Sequence, residues 1–404
     1  MKVNLRGLFD IKKLLARLEA NAPAGFYKVK NYSHSNKPLF IGMAEHAHEE
    51  EQMEKRLKTT PGIRSNLQKR RAEVNLSNLQ LTQTSYLQPD RPFPLIIQPV
   101  MSGVNLISWA ENNKTYIQQE LAKHGAILFT GFNIDTPAKF EEFARQVSQS
   151  GELFDEYGDL PRDNPGAKVY HSTPYPQDKS ILFHNESSHM YRWPMKILFY
   201  CVKVAEEDGA TPILDCRETY KALDPAIIAR FQEKKLMYVR NFIEGLDVSW
   251  QSFFQTSNKD RVEEYCRRNN IISEWKGKNH LTTRQICPAI VKHPVTNDML
   301  FFNQLQLHHV SCLEPEIRAS MLEMFSENDL PRNVYYGDGS PIEDSLIQEI
   351  SALYERLAVR FQWHAGDVVM LDNMMAAHAR DPFKGTRKIL VAMADMITQP
   401  EVQS

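Results

Sequence analysis

Cysteine is scarce and unpatterned. Five residues, at positions 201, 216, 266, 287 and 312, make an odd number, with no Cys-x-x-Cys pair. That argues against a disulfide framework and against a structural zinc site, and it points to a reducing cytosol. Long apolar runs are also missing: none reaches the roughly 18–20 residues that span a bilayer. The opening stretch, Met1-Lys2-Val3-Asn4-Leu5-Arg6, has no continuous apolar segment of the secretory kind. A cytoplasmic protein with no membrane partner is expected. Excess charge of one sign is absent, since 48 basic residues face 50 acidic ones for a net charge of −2. The chain therefore exerts no global pull on nucleic acid, and Lys69-Arg70-Arg71 is too short a basic patch to supply one. No internal repeat or low-complexity tract interrupts the 404 residues. What remains, 42% hydrophobic and 24% charged, is the composition of a globular protein.

The first 90 residues differ from the rest. Positions 8–18 read as a short amphipathic helix, with Leu8, Ile11, Leu14, Leu15 and Leu18 on one side. Positions 45–58 are densely charged. The pair His46-x-His48 there reads as a solvated helical face, because no third ligand lies near it. Four prolines between Pro89 and Pro99 mark a boundary. The expected organisation is an N-terminal extension of unassigned role, 1–90, and one domain over 91–404. Within that domain 114–124 looks helical, 125–129 reads as a buried strand, and Thr136 can cap a helix over 137–148 with Pro137 in its first turn. Short strand-like runs then dominate, at 181–183, 196–204, 211–214, 289–292, 299–302, 368–371 and 388–393. Helical stretches fall between them at 217–223, 260–269, 314–327 and 342–361. This pattern predicts a mainly β fold with added helices (α+β), built on a sandwich or barrel.

The chemistry centres on Phe183-His184-Asn185-Glu186 and on a lone His378. In a strand, residues two apart share a face, so His184 and Glu186 can converge on one ion. His378 follows the turn Gly366-Asp367, the run 368–371 and the polar pair Asp372-Asn373. Two imidazoles and one carboxylate are the facial set of a non-haem iron(II) site, which leaves coordination positions open. Zinc hydrolases use similar sets, so the triad alone leaves a metal-dependent hydrolase open. Arg387, nine residues past His378, offers a planar bidentate fork for the far carboxylate of 2-oxoglutarate. Thr211, in Asp208-Gly209-Ala210-Thr211-Pro212, offers a hydroxyl for the same group, and Gly209 supplies a permissive backbone before it. A hydrolase has no use for such an anchor.

From about Phe93 to Met396 the chain resembles the TauD/TfdA-like Fe(II)/2-oxoglutarate dioxygenases, and within them the SyrP-like branch. The resemblance rests on 124–132, on Phe183-His184-Asn185-Glu186-Ser187-Ser188-His189, on Gly209-Ala210-Thr211-Pro212, and on His293-Pro294-Val295-Thr296. It continues through Phe301-Phe302-Asn303-Gln304 and the stretch 378–388. It implies a double-stranded β-helix (jelly-roll) core. It implies iron bound by His184, Glu186 and His378, with 2-oxoglutarate on Thr211 and Arg387 and dioxygen as the second cosubstrate. Taurine dioxygenase carries a second arginine four residues past the cosubstrate arginine to grip a sulfonate. Val391 stands at that position here, against a sulfonate substrate. Iron halogenases of this class replace the carboxylate ligand with a small residue, so Glu186 favours hydroxylation or desaturation over halogenation.

Substrate contacts are expected among Asn185, Ser188, His189, Arg192, Asn303 and Arg380. The leading functional expectation is hydroxylation of an amino acid or amino-acid-derived substrate in natural-product biosynthesis. By family analogy that substrate is either free or held on a carrier protein of a nonribosomal peptide synthetase. The alternatives are a desaturase or cyclase using the same iron centre, and a catalytically silent jelly-roll that binds a partner.

Overall fold

The computed structural model describes residues 81–154, 169–171, 175–243, 248–277 and 279–399. The expected helix at 8–18 and the charged stretch at 45–58 lie outside them. In chain order the strands begin with β1 (Thr82–Gln88), β2 (Arg91–Pro99), β3 (Ala126–Phe129), β4 (Tyr170–His171), β5 (Ile181–His184) and β6 (Arg192–Lys203). They continue with β7 (Glu207–Asp208), β8 (Ile213–Asp215), β9 (Leu236–Phe242), β10 (Ile271–Lys276), β11 (His280–Cys287) and β12 (Ile290–Lys292). The last are β13 (Met299–Phe301), β14 (Arg332–Tyr336), β15 (Val368–Asp372), β16 (Ala376–Arg380), β17 (Phe383–Lys384) and β18 (Lys388–Thr398).

A large sheet runs in the order β1-β2-β3-β15-β6-β18-β4, and a small one in the order β5-β16-β8. β3, β15 and the middles of β6 and β18 are buried on both faces, so they read as unbroken apolar runs without alternation. Alternation still sorts their side chains. Leu198, Tyr200, Val368, Met370 and Leu390 point one way, into a core with Trp109, Phe140 and Phe143 from the helices Leu106–Asn112 and Pro137–Val147. Ile197, Phe199, Val369, Leu371 and Val391 point the other way, onto Ile213 of β8 and Ala376 of β16. The small sheet thus covers the inner face of the large one, and the expected jelly-roll core is what forms. Val391, the position that carries no sulfonate-binding arginine, is buried in this inner layer.

Several expected elements appear with shifted ends. The helix expected at 137–148 spans Pro137–Val147, and Thr136 Oγ1 accepts from Lys139 N at 3.3 Å as a side-chain cap. The helix expected at 342–361 is shorter, Asp344–Leu357. The boundary drawn at 90 falls inside a hairpin, because β1 pairs with β2 through Tyr86 opposite Leu95 and Gln88 opposite Arg91. A third sheet, β10-β11-β9-β14, has no counterpart among the expected strands. Its members carry charged and amide residues at frequent intervals, as in Ile271-Ile272-Ser273-Glu274-Trp275-Lys276, and one flank is exposed. Periodicity is weak there, and tertiary pairing overrides it.

One buried ion pair ties the large sheet to the end of the helix Pro137–Val147. Lys196 on β6, 4% exposed, donates to Asp395 Oδ2 on β18 at 2.6 Å. Asp395 Oδ1 also accepts from Ser148 Oγ at 2.9 Å and from Gln149 N at 2.9 Å. Asp395→Ala would leave a desolvated ammonium without its counter-charge. The expected loss is about 3–5 kcal/mol of stability, read from urea unfolding, with Lys196→Met/Asp395→Leu recovering part of it.

Candidate metal centre and cosubstrate pocket

The end of one strand, the middle of another and one turn bring the three ligand candidates together. β16 runs antiparallel to β5 with His378 directly opposite His184, and their rings lie 4.3 Å apart. The His378 ring also rests 4.9 Å from Phe199, on the inner face of the large sheet. β5 ends at His184, so Glu186 is not on the strand. This corrects the expectation of a shared strand face: Glu186 enters a turn in which Ser187 takes a left-handed φ of 58°. His184 Nε2 and Glu186 Oε2 lie 3.9 Å apart. One ligand atom from each of His184, Glu186 and His378 falls within 4.8 Å of the others.

The turn carrying Glu186 is held by Asn373, which is fully buried. Asn373 Oδ1 accepts from Glu186 N at 2.7 Å, while Asn373 Nδ2 donates to Glu186 O at 2.9 Å and to Pro194 O at 2.9 Å. Asn185 Nδ2 donates in return to Asn373 O at 2.7 Å. Asn373 leads into β16, so one amide links the Glu186 turn to the strand of His378. Its neighbour Asp372 is braced too, accepting from Met374 N at 3.0 Å and bonded to His293 Nε2 at 3.0 Å. On the other ligand, His184 Nδ1 bonds Leu182 O at 2.8 Å, which makes it the donor and leaves Nε2 with its lone pair for a metal. Cys216 is no competing ligand. Burial pushes its thiol up to about 12, and its Sγ bonds Asn185. The neutral imidazoles and carboxylate fit iron(II).

A second cluster lies around Arg387. Its Nε donates to Gly209 O at 2.9 Å and its Nη2 to Thr211 Oγ1 at 2.9 Å. Trp363 Nε1 also donates to Thr211 Oγ1, at 3.0 Å. With both lone pairs of that hydroxyl taken, its proton is left to give away, and an anion is the natural acceptor. Burial, and secondarily the nearby Arg380, push the Arg387 guanidinium down to about 10, so it stays charged at neutral pH. Among the described residues Arg387 makes no ion pair. Asp381, which pulls its pKa up, is bonded to Arg360 at 3.0 Å. A half-buried cation beside a hydroxyl donor fits a carboxylate from outside the chain. Trp363 was not visible as a participant in the sequence, since its role needs the fold to bring it to Thr211.

The expected substrate residues divide. Asn185 (1% exposed) is committed to Asn373 and Asn303, and Ser188 Oγ donates to Asn185 O at 2.9 Å. Asn303 Nδ2 donates to Tyr354 OH at 3.1 Å, and its Oδ1 accepts from Leu305 N at 3.0 Å. Arg380 donates to the carbonyls of Tyr175, Pro176 and Lys179, which orders that loop. The polar atoms of Asn185, Ser188 and Asn303 are engaged inside the protein, whereas Arg380 keeps one buried nitrogen, Nε, without a hydrogen-bond partner. His189 and Arg192 do line a cavity, over the four-stranded sheet.

The chain matches the model of the "Taurine catabolism dioxygenase TauD, TfdA family" over residues 84–393, and it belongs to that family. It is therefore an enzyme of the Fe(II)/2-oxoglutarate-dependent dioxygenase class. It is 35% identical over 312 residues to the dapdiamide synthesis protein DdaC of Enterobacter agglomerans, covering 74% of this chain and 94% of that protein. It is 26% identical over 344 residues to a clavaminate synthase-like protein of Arabidopsis thaliana, covering 80% and 99%. Among solved structures, PvcB of Pseudomonas aeruginosa is 14% identical with a TM-score of 0.49, covering 82% of this chain and 98% of that one. No helix among the described residues is long and apolar enough to cross a membrane.

Two substitutions test the two clusters separately. Asn373→Ala removes both sides of the clamp on residue 186, and Mn(II) affinity, read by electron paramagnetic resonance, should fall about 10–100-fold. Gly209 sits at φ 75°, and a Cβ there would stand 2.9 Å from Phe383 Cβ and 3.1 Å from Arg387 Cδ. Gly209→Ala should weaken 2-oxoglutarate binding about tenfold by calorimetry while leaving Mn(II) affinity near wild type.

Proposed function

We propose that the enzyme hydroxylates an unactivated C–H bond of an amino-acid-derived substrate in natural-product biosynthesis, with His184, Glu186 and His378 holding iron(II) and Thr211 and Arg387 holding 2-oxoglutarate. When bound, iron(II) and 2-oxoglutarate supply, with dioxygen, the oxidising power for C–H cleavage and leave succinate and carbon dioxide. The chain's own part is placement. His184 and His378 present neutral imidazole donors and Glu186 the single negative one. Arg387 and the Thr211 hydroxyl would hold the far carboxylate of 2-oxoglutarate, leaving its keto-acid end to chelate the ion. Phe199 and the inner sheet layer exclude water from one side of the site.

The observation that carries this reading is the half-buried Arg387, charged and without an acidic partner among the described residues, in one fold with the two-histidine, one-carboxylate set. A zinc hydrolase would have no occupant for it. The natural-product assignment is supported by the likeness to the dapdiamide synthesis protein, as is the choice of an amino-acid-derived substrate. Delivery of that substrate on a carrier protein remains part of the proposal, as does a separate N-terminal extension over 1–90.

Anaerobic titration with iron(II) and 2-oxoglutarate tests it. A weak visible charge-transfer band from the keto-acid chelate should form in the wild type and vanish in His184→Ala, and it should need at least about tenfold more 2-oxoglutarate in Arg387→Ala. A wild type that binds iron yet shows no band at saturating 2-oxoglutarate would overturn the assignment.

A further inference from the structure

The third sheet lies outside the jelly-roll, and one of its faces is only partly filled. Register places Cys287 opposite Leu236, Gln285 opposite Tyr238, Thr283 opposite Arg240 and Leu281 opposite Phe242 along β11 and β9. The first of these rows is sunk in the main core. The last belongs to a small core with Trp250 and Val262. Between two apolar rows sit two rows bearing Gln285, Thr283 and Arg240, and over them lies a cavity. Its floor extends to Ile271 on β10, which pairs with Gln285. Its walls include Phe253, Phe254 and Tyr265, packed ring on ring at 4.8 and 5.5 Å, and His308. The remaining wall is the segment from His189 to Arg192, which starts three residues after Glu186.

Polar groups in a core position need partners, because an unmet buried acceptor costs about 1–3 kcal/mol. Gln285 is 7% exposed, and its Nε2 reaches Asn270 O at 3.4 Å. That contact turns its Oε1 the other way, where it has no hydrogen-bond partner. Arg240, in the same floor, is spread over the Phe253 ring at 4.6 Å and the Phe242 ring at 4.8 Å. An aromatic-walled hollow with one unmet acceptor in its floor is a binding site for an apolar body carrying one hydrogen-bond donor.

We propose that this cavity is the substrate chamber, that it takes an apolar or aromatic side chain of an amino-acid derivative, and that an N–H or O–H of that substrate donates to Gln285 Oε1. The proposal rests on the iron and 2-oxoglutarate reading above and names the substrate class for that site. It also gives the third sheet a purpose: the sheet is the floor on which specificity is written.

The test screens free L-amino acids, their N-acetyl forms and their N-acetylcysteamine thioesters for stimulation of succinate release by the iron-loaded full chain. The stimulating compounds should carry an apolar or aromatic side chain. For the best of them, Ile271→Trp, which fills the hollow, and Gln285→Leu, which removes the acceptor, should each raise KM about tenfold or more. Ile286→Trp, on the opposite, partly exposed face of the same strand, should leave KM at the wild-type value. Circular dichroism melts of all three variants confirm that they fold. An unchanged KM in both Ile271→Trp and Gln285→Leu overturns the chamber, as does a panel in which only small or acidic compounds stimulate. A wild type that forms the chelate band but responds to no compound overturns it too. Absence of the band fails the parent reading instead, so the two failures are distinguishable.

Discussion

Side chains alternate along a strand, so a one-residue slip of β16 against β5 would turn His378 away from His184 and bring Ala377 or Ala379 to face it. The whole site depends on that register not slipping. The inner face of the large sheet helps fix it, because Ala376 and His378 pack against a layer that includes Phe199 and Val391. β8 fixes it from the other side, pairing Ala376 with Asp215 and His378 with Ile213. The central strand of a three-stranded sheet, held on both edges, delivers a histidine with little freedom.

Glu186 is secured differently. It lies past the end of β5, where no ladder holds it, and a carboxylate on a free turn would make a poor metal site. Asn373 substitutes for the missing strand partner: its amide meets the N–H and C=O of residue 186 much as a neighbouring backbone would. Because Asn373 is itself the approach to β16, the two parts of the ligand set move together. A side-chain amide doing backbone work needs complete burial and full satisfaction, and Asn373 has both.

The sequence made the candidate metal donors and the candidate cosubstrate pair legible because their identities are chemically narrow. A His-x-Glu with a distant His, and an arginine heading a strand, have few other readings once the spacing is taken together. The strands of the jelly-roll were legible for a related reason: burial on both faces leaves long apolar runs. The third sheet was not, since Gln285, Thr283 and Arg240 interrupt the pattern that would have revealed β9 and β11. Those interruptions are the residues that line the cavity. Asn185, Ser188 and Asn303 misled in the opposite sense. Their polarity looked like outward function, yet it serves the internal bonds that keep a turn and two loops together beside the candidate metal ligands.

Arg387 and Arg380 show what such a site costs. Burial lowers both guanidinium groups to about 10, and each lies close enough for Arg380 to depress Arg387 further. Three backbone carbonyls offset the charge of Arg380, though its Nε is buried without a hydrogen-bond partner. Arg387 has Gly209 O and Thr211 Oγ1 only, and the second of these is better read as a companion donor to an incoming anion. Of these two neighbouring cations, the fold has given Arg380 three carbonyl partners and Arg387 one. Under the proposed function, Arg387 is the residue at which an incoming carboxylate would recover binding energy.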